Sequence, residues 1–410
     1  MNRRITALLR GGIWGVFGRL ASAALGIAVS LLIARVIPPH EMGVYFLAST
    51  MASFLAAFSA FGLPVTAMRL IARKEAVANR VDSIRVAFSS LAYGVVIAFA
   101  CASAFASGLG QFLAISAFQS PLLESVTPVI AIWGFLLVVQ NLITEICRGF
   151  NRIDLAMLSG GLISSGLLVG TVLMAIYTSL SMNLGTVLNL TLLAVGLSAL
   201  FPIALARRVF CCSGHRKLIN VSELFPSAWP IWLHGMAAFG LLHASVWIIG
   251  AFASKEDVAI YGAASRLASV FSLVNGMAYA FLPPIIVQLN ARNDKLGLQR
   301  IVRGAAAVAG VTMLPAFGLF VLFPGELLRV TFGDYYASGT VVLVALSTAN
   351  FINLVTGIRG YLLLVCGYER LQLGISVVGG AVTLLLVYIG VTNWGISAAA
   401  IGACLGLVLQ

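Results

Sequence analysis

Residues 371–391 read LQLGISVVGGAVTLLLVYIGV, 21 residues without one charge. At about 1.5 Å of rise per residue a helix of this length covers roughly 30 Å, the thickness of a bilayer's hydrocarbon core. In that medium a backbone must satisfy its own N–H and C=O groups, and a helix does so within the segment. The stretch predicts a membrane-spanning helix, and the same pattern recurs along the whole chain. Runs of this kind fall near 12–36, 43–66, 86–108, 122–146, 155–178, 183–205, 224–252, 258–289, 304–324, 338–365, 371–391 and 395–410, twelve in all, the last one short. The first run is longer than the apolar core of a signal peptide and ends in Arg-Val-Ile-Pro-Pro without a small-residue cleavage site, so it reads as a span.

The composition agrees. Of 410 residues, 60% are apolar and 9% charged, and mean hydropathy is +1.04. A soluble domain carries about 25% charged residues. This excludes an ordinary water-soluble enzyme, a disordered chain and a collagen-like chain, and leaves an all-α polytopic membrane protein. The net charge of +12 would suggest nucleic acid in a soluble protein. In a membrane protein it points to anionic lipid head groups or an anionic substrate, and no nucleic-acid partner is expected.

The links are short enough for the positive-inside rule. With the N-terminus in the cytoplasm, the inner segments hold 19 of the 25 Lys and Arg and the outer links hold 3, Arg35, Lys255 and Arg329. Both termini are therefore expected inside. None of the six cysteines lies in an outer link, so no disulfide framework is expected. No link has room for a Walker loop or a soluble catalytic domain, and neither G-x-S-x-G nor H-E-x-x-H occurs. No catalytic residue, cofactor or metal site is expected.

The chain also matches itself. Tyr45, Ala48, Ser49, Ala52 and Ser53 recur in register as Tyr261, Ala264, Ser265, Ala268 and Ser269. Farther on, Gly149-Phe-Asn-Arg152 recurs as Gly367-Tyr-Glu-Arg370. An offset containing six spans returns the chain to the same side. Two parallel six-helix lobes are expected, related by an axis along the membrane normal and enclosing a central cavity. Their bounds are 1–206 and 223–410, joined by a basic cytoplasmic connector over 207–222.

Three arginines, Arg19, Arg266 and Arg359, lie about 8 or 9 residues inside their spans, roughly 12 Å deep. A charge at helix centre costs about 2.5–3.5 kcal/mol on insertion scales, so such residues face partners or a wet cavity. Each could bond interhelical carbonyls or snorkel to a head group. Together they favour an anion, because guanidinium matches phosphate in a bidentate fork. Asn141 and Asn275 are polar positions in apolar runs, suited either to sugar hydroxyls or to helix–helix hydrogen bonds. Glu145, His234 and His243 are candidates for coupling an ion. The two histidines are nine residues apart and so on opposite helix faces, which rules out a shared metal site. Prolines at Pro64, Pro128, Pro230, Pro283, Pro284 and Pro315 mark places where a span could break or bend.

Several of these stretches resemble one family. Leu8-Leu-Arg-Gly-Gly-Ile-Trp-Gly-Val-Phe-Gly-Arg19 is similar to the first helix of the polysaccharide transporters, the lipid-linked oligosaccharide (O-antigen type) flippases. Ala34-Arg35-Val-Ile-Pro-Pro-His-Glu-Met42-Gly43-Val-Tyr45 resembles the family's A-R-x-L-x-P-x-x-[FY]-G-x-[FY], with Met42 in place of an aromatic. Ile260-Tyr-Gly-Ala-Ala-Ser-Arg266 and Gly325-Glu-Leu-Leu-Arg-Val-Thr-Phe-Gly333-Asp-Tyr-Tyr336 are further matches. The resemblance implies the V-shaped, two-lobed fold shared with multidrug and toxin extruders. It also implies a flippase moving a polyprenyl-diphosphate-linked oligosaccharide across the bacterial inner membrane by alternating access. The product would feed surface polysaccharide (O-antigen, capsule or exopolysaccharide), with a polysaccharide polymerase and a chain-length regulator as partners. A multidrug or cation antiporter of the same fold would favour acidic residues at depth, of which Glu145 is one. A membrane polymerase would need a long outer loop with catalytic groups.

Overall fold

The computed structural model describes residues 18, 20–77, 79–178, 181–210, 221–274, 286, 289, 294–365 and 369–409. Within these, the side chains of 200–210, 221–223, 241, 295, 357–365, 369, 370, 372, 373 and 409 are not described. The described residues are almost all helical, with no strand among them.

A helix lies in each of the twelve apolar stretches. In chain order the helices are α1 (Leu20–Ala34), α2 (Pro39–Ser59), α3 (Leu63–Ala76), α4 (Arg80–Ala104), α5 (Gly110–Ser116), α6 (Pro121–Ser125), α7 (Thr127–Gly149), α8 (Ile153–Met157), α9 (Ile163–Tyr177), α10 (Leu184–Phe210), α11 (Val221–Phe252) and α12 (Lys255–Ala268). There follow α13 (Lys295–Leu322), α14 (Pro324–Phe332), α15 (Thr340–Val365), α16 (Glu369–Trp394) and α17 (Ile396–Leu409). Among the described residues, eight segments are long and apolar enough to cross a membrane, or nine if the bent pair Leu224–Gly240 and Leu242–Phe252 is one span. Leu20–Ala34, Leu184–Ala199 and Ile396–Val408 are shorter apolar helices.

Helix breaks follow from backbone chemistry. Pro64 and Pro128 sit in the first turns of α3 and α7, where a missing N–H costs nothing. These two open helices and do not bend them. Pro230 and Pro315 lie within α11 and α13. Pro283 and Pro284 lie outside the described residues. The bends within spans fall at glycines. Wide π-type turns cover Phe105–Leu109 and Leu158–Leu162, with φ of 155° at Gly108 and 107° at Gly161. Only glycine adopts such φ values without strain.

The contacts divide the chain into two compact units. The first holds Met1–Ile37 and Val44–His243, the second Pro38–Gly43 and Ala244–Gln410. The division thus falls within α11, beyond the basic connector expected at 207–222, whose residues 211–220 are not described. Aromatic packing explains the first unit's share of α11. Trp232 stacks on Phe61 with centroids 5.1 Å apart, and its indole N–H donates to the Phe58 carbonyl at 2.8 Å. That carbonyl belongs to the last turn of α2, where the backbone offers it only the Phe61 N–H at 3.4 Å. In the second unit, Lys255 Nζ caps the other end of α11 by donating to the Gly250 carbonyl at 2.8 Å.

Tyr45 and Tyr261 both stand six residues after the first residue of their helices, α2 and α12, and both are buried. Gly43 shows what the resemblance motif requires. A Cβ there would run into the Lys255 carbonyl at the start of α12, so the backbones approach closely only with glycine.

Candidate functional site

Arg266 is the deep arginine whose side chain the structure describes. It stands on a helical segment that runs Lys255–Val274, eleven residues from its start and eight from its end. The helix begins with a capping box: Ser254 accepts from the Asp257 N–H, and Asp257 from the Ser254 N–H. One face, including Val258, Ile260, Tyr261, Ala264, Leu267 and Ala268, is buried in the second unit. The opposite strip carries Ser265, Arg266, Ser269 and Ser272, with Arg266 and Ser272 exposed. The Ser269 hydroxyl donates to the Arg266 carbonyl at 2.6 Å, and Ser272 donates to Asn350 Oδ1 on α15 at 3.4 Å. Arg266 thus shares an exposed arc with serine hydroxyls, and a guanidinium is chemistry suited to an oxyanion.

The other predicted positions fall as follows. Arg359 lies on α15, where the backbone is helical and the side chain is not described. Arg19 and Asn275 lie outside the described residues. Asn141 is exposed on α7. Glu145 is on the same face one turn later and is ion-paired with Arg148. His234 is exposed on α11, and His243 packs its ring against Phe239 with centroids 4.4 Å apart. Asn141, Glu145, His234 and His243 belong to the first unit and Arg266 to the second.

At the α7–α8 link, Arg152 makes two hydrogen bonds to Asp154, 3.1 and 3.0 Å long, and this pairing raises the guanidinium's pKa from an already high value. The pair lies in a segment expected to face the cytoplasm. Among the described residues no group of three His, Cys, Asp or Glu side chains could hold a metal ion.

Two residues outside the predicted set also take part. Gln140, next to Asn141 in sequence, is 5% exposed and donates to the Ser159 carbonyl at 2.8 Å. The same amide lies 3.4 Å from Ser164 Oγ and 3.5 Å from Ser198 Oγ. Gln140 is interhelical glue. Its partner Ser159 lies in the π-type turn of Leu158–Leu162, where the regular ladder leaves a carbonyl to be satisfied. Ser272 is the other. Its spacing from Arg266, Ser265 and Ser269 places all four on one arc of the helix, a signal present in the sequence.

With this geometry, similarity to known proteins can be weighed. The chain is 22% identical over 163 residues to the probable low-salt glycan biosynthesis flippase Agl15 of Haloferax volcanii, covering 40% of this chain and 34% of that protein. It therefore spans about a third of the length of that relative. Among solved structures it is similar to an inward-facing multidrug resistance MATE family transporter of the MOP superfamily. There the TM-score is 0.74 at 17% identity over 96% of this chain and 94% of the other. It is also similar to a MOP superfamily transporter from Pyrococcus furiosus described as having a binding pocket of reverse polarity, with a TM-score of 0.62 at 20% identity over 98% and 92%. These structures establish a MATE-like fold for a multi-pass membrane protein. Residues 8–290 match the model of the family described as polysaccharide biosynthesis protein, and the chain belongs to that family.

Proposed function

We propose that this chain is a flippase that carries a polyprenyl-diphosphate-linked oligosaccharide across the bacterial inner membrane for surface polysaccharide synthesis. It is read here as a transporter and not an enzyme. The observation that carries the reading is Arg266, exposed near the middle of an apolar helical segment. A guanidinium so placed is costly in hydrocarbon and useful to a diphosphate. Arg19 and Arg359 are its proposed partners for the same anion, Asn141 and Asn275 are proposed to meet sugar hydroxyls, and alternating access is the proposed mechanism. Membership of a polysaccharide biosynthesis family and similarity to a glycan flippase support a lipid-linked glycan as cargo.

The test is translocation of a fluorescent polyprenyl-diphosphate disaccharide in proteoliposomes. Arg266→Ala and Arg19→Ala should each abolish flipping with insertion and yield intact. Undiminished flipping by both would remove the physical basis of the proposal. A cation antiporter is the competing reading of this fold. The acid it would call on, Glu145, is already paired with Arg148. Uptake of a cationic dye against a proton or sodium gradient would favour it.

A further inference from the structure

We propose that a row of neutral polar side chains in the second unit, Ser265, Ser269, Ser272, Asn350 and Asn353, binds the sugar rings of the cargo beside Arg266. The inference rests on the flippase reading and adds to it the surface that senses the glycan.

The row is built by two helices running side by side in the same direction. Gly339, just before α15, lies against Ile260, while Asn350, eleven residues on, meets Ser272, twelve residues on. Phe271 and Phe351 pack edge to face beside that contact, with centroids 6.1 Å apart. The hydroxyls of the Lys255–Val274 segment and the amides of α15 therefore follow one another along a common line. From Arg266 to Ser272 is six residues, and from Asn350 to Asn353 three, so the row extends about 13 Å along the helices. That length exceeds a single sugar ring.

Asn353 gives the row its meaning. It stands thirteen residues from the start of α15 and twelve from its end, and it is exposed. Its amide has no partner among the described residues. An amide held without partners in hydrocarbon costs several kcal/mol, so this position calls for water or a polar ligand. Asn350 is set differently. Its Nδ2 donates to the Leu346 carbonyl at 2.8 Å and its Oδ1 accepts from Ser272, which holds the amide in one orientation and aligns the row. Hydroxyls and amides without net charge suit a neutral polyhydroxyl ligand, and the guanidinium at one end suits the phosphate to which such a ligand is linked.

The experiment uses the full-length protein in nanodiscs and two probes, citronellyl diphosphate with and without an attached N-acetylglucosamine. The wild type should bind the sugar-bearing probe about tenfold more tightly than the bare diphosphate. Asn353→Leu and Ser272→Ala should each remove most of that ratio, about fivefold for one hydrogen bond, and leave the affinity for the bare diphosphate unchanged. Arg266→Ala should weaken both probes. Leucine is apolar and similar in size, so Asn353→Leu does not threaten insertion or packing of the helix. Variants that keep the wild-type ratio, or that weaken both probes equally, would overturn the sugar row and leave the diphosphate reading standing. A wild type that binds both probes equally would do the same. A wild type that binds neither would bring down the flippase reading and the row with it.

Discussion

Gln140 and Asn141 are neighbours in sequence with similar side chains, yet they have opposite roles. The Gln140 amide is buried and bonds the Ser159 carbonyl, while Asn141 is exposed. Removing the buried donor leaves a carbonyl without its partner, at a cost of about 1–3 kcal/mol. Gln140→Leu should therefore lower the unfolding temperature of the detergent-solubilised protein clearly, and Asn141→Leu should leave it unchanged. Equal shifts in a thermal unfolding assay would contradict the assignment. The sequence shows that both residues interrupt an apolar run. It does not show which of two adjacent positions faces α9 and α10, because that depends on residues 19 to 58 positions away. Glu145 differs, because its ion-pair partner Arg148 is one turn later on the same helix, a pairing that the i, i+3 spacing already carries.

At the scale of the element, apolar length was legible and helix breaks were less so. The run 43–66 reads as one span, yet α2 ends at Ser59 and α3 starts at Leu63, with φ of 46° at Phe61 and 69° at Gly62 between them. The Gly-Leu-Pro there was a readable break signal, since glycine takes the positive φ and proline suits a first turn. The run 155–178 also reads as one span, but its helix is bent at a π-type turn where Gly161 has φ of 107°. Nothing lies within 4 Å of a Cβ built there, so any penalty at this site is conformational. Gly161→Ala should cost about 1–3 kcal/mol through backbone strain. Gly166→Ala, on the same span within α9 and meeting only ordinary contact with Leu25, should be neutral or slightly stabilising. Chemical or thermal unfolding of the two variants compares them directly, and equal stabilities would refute a strained turn.

For the whole molecule, orientation is the property with the most physical content in the composition. The 19-to-3 partition of basic residues predicts cytoplasmic termini and a cytoplasmic α3–α4 link. Val77 in that link is 71% exposed. Val77→Cys should react with a membrane-impermeant maleimide only after the membrane is opened, whereas Ser254→Cys, at the α11–α12 link, should react from the outside. The reverse pattern would invert the topology. The six native cysteines are replaced by serine beforehand, so that labelling reports on the introduced position alone.

Read alone, the amino-acid order determined the class, a helical chain of apolar spans, because crossing a bilayer is a local requirement met within each segment. It also carried an internal match that sets Tyr45 and Tyr261 six residues into their helices, and the family resemblance. Tertiary structure decided which polar groups are glue and which are presented, setting Gln140 apart from Asn141 and joining Ser272 to Asn350. It also decided where the compact units divide, between His243 and Ala244. These outcomes rest on which helix faces meet, and burial is set by residues far apart along the chain, where periodicity in one segment carries no information.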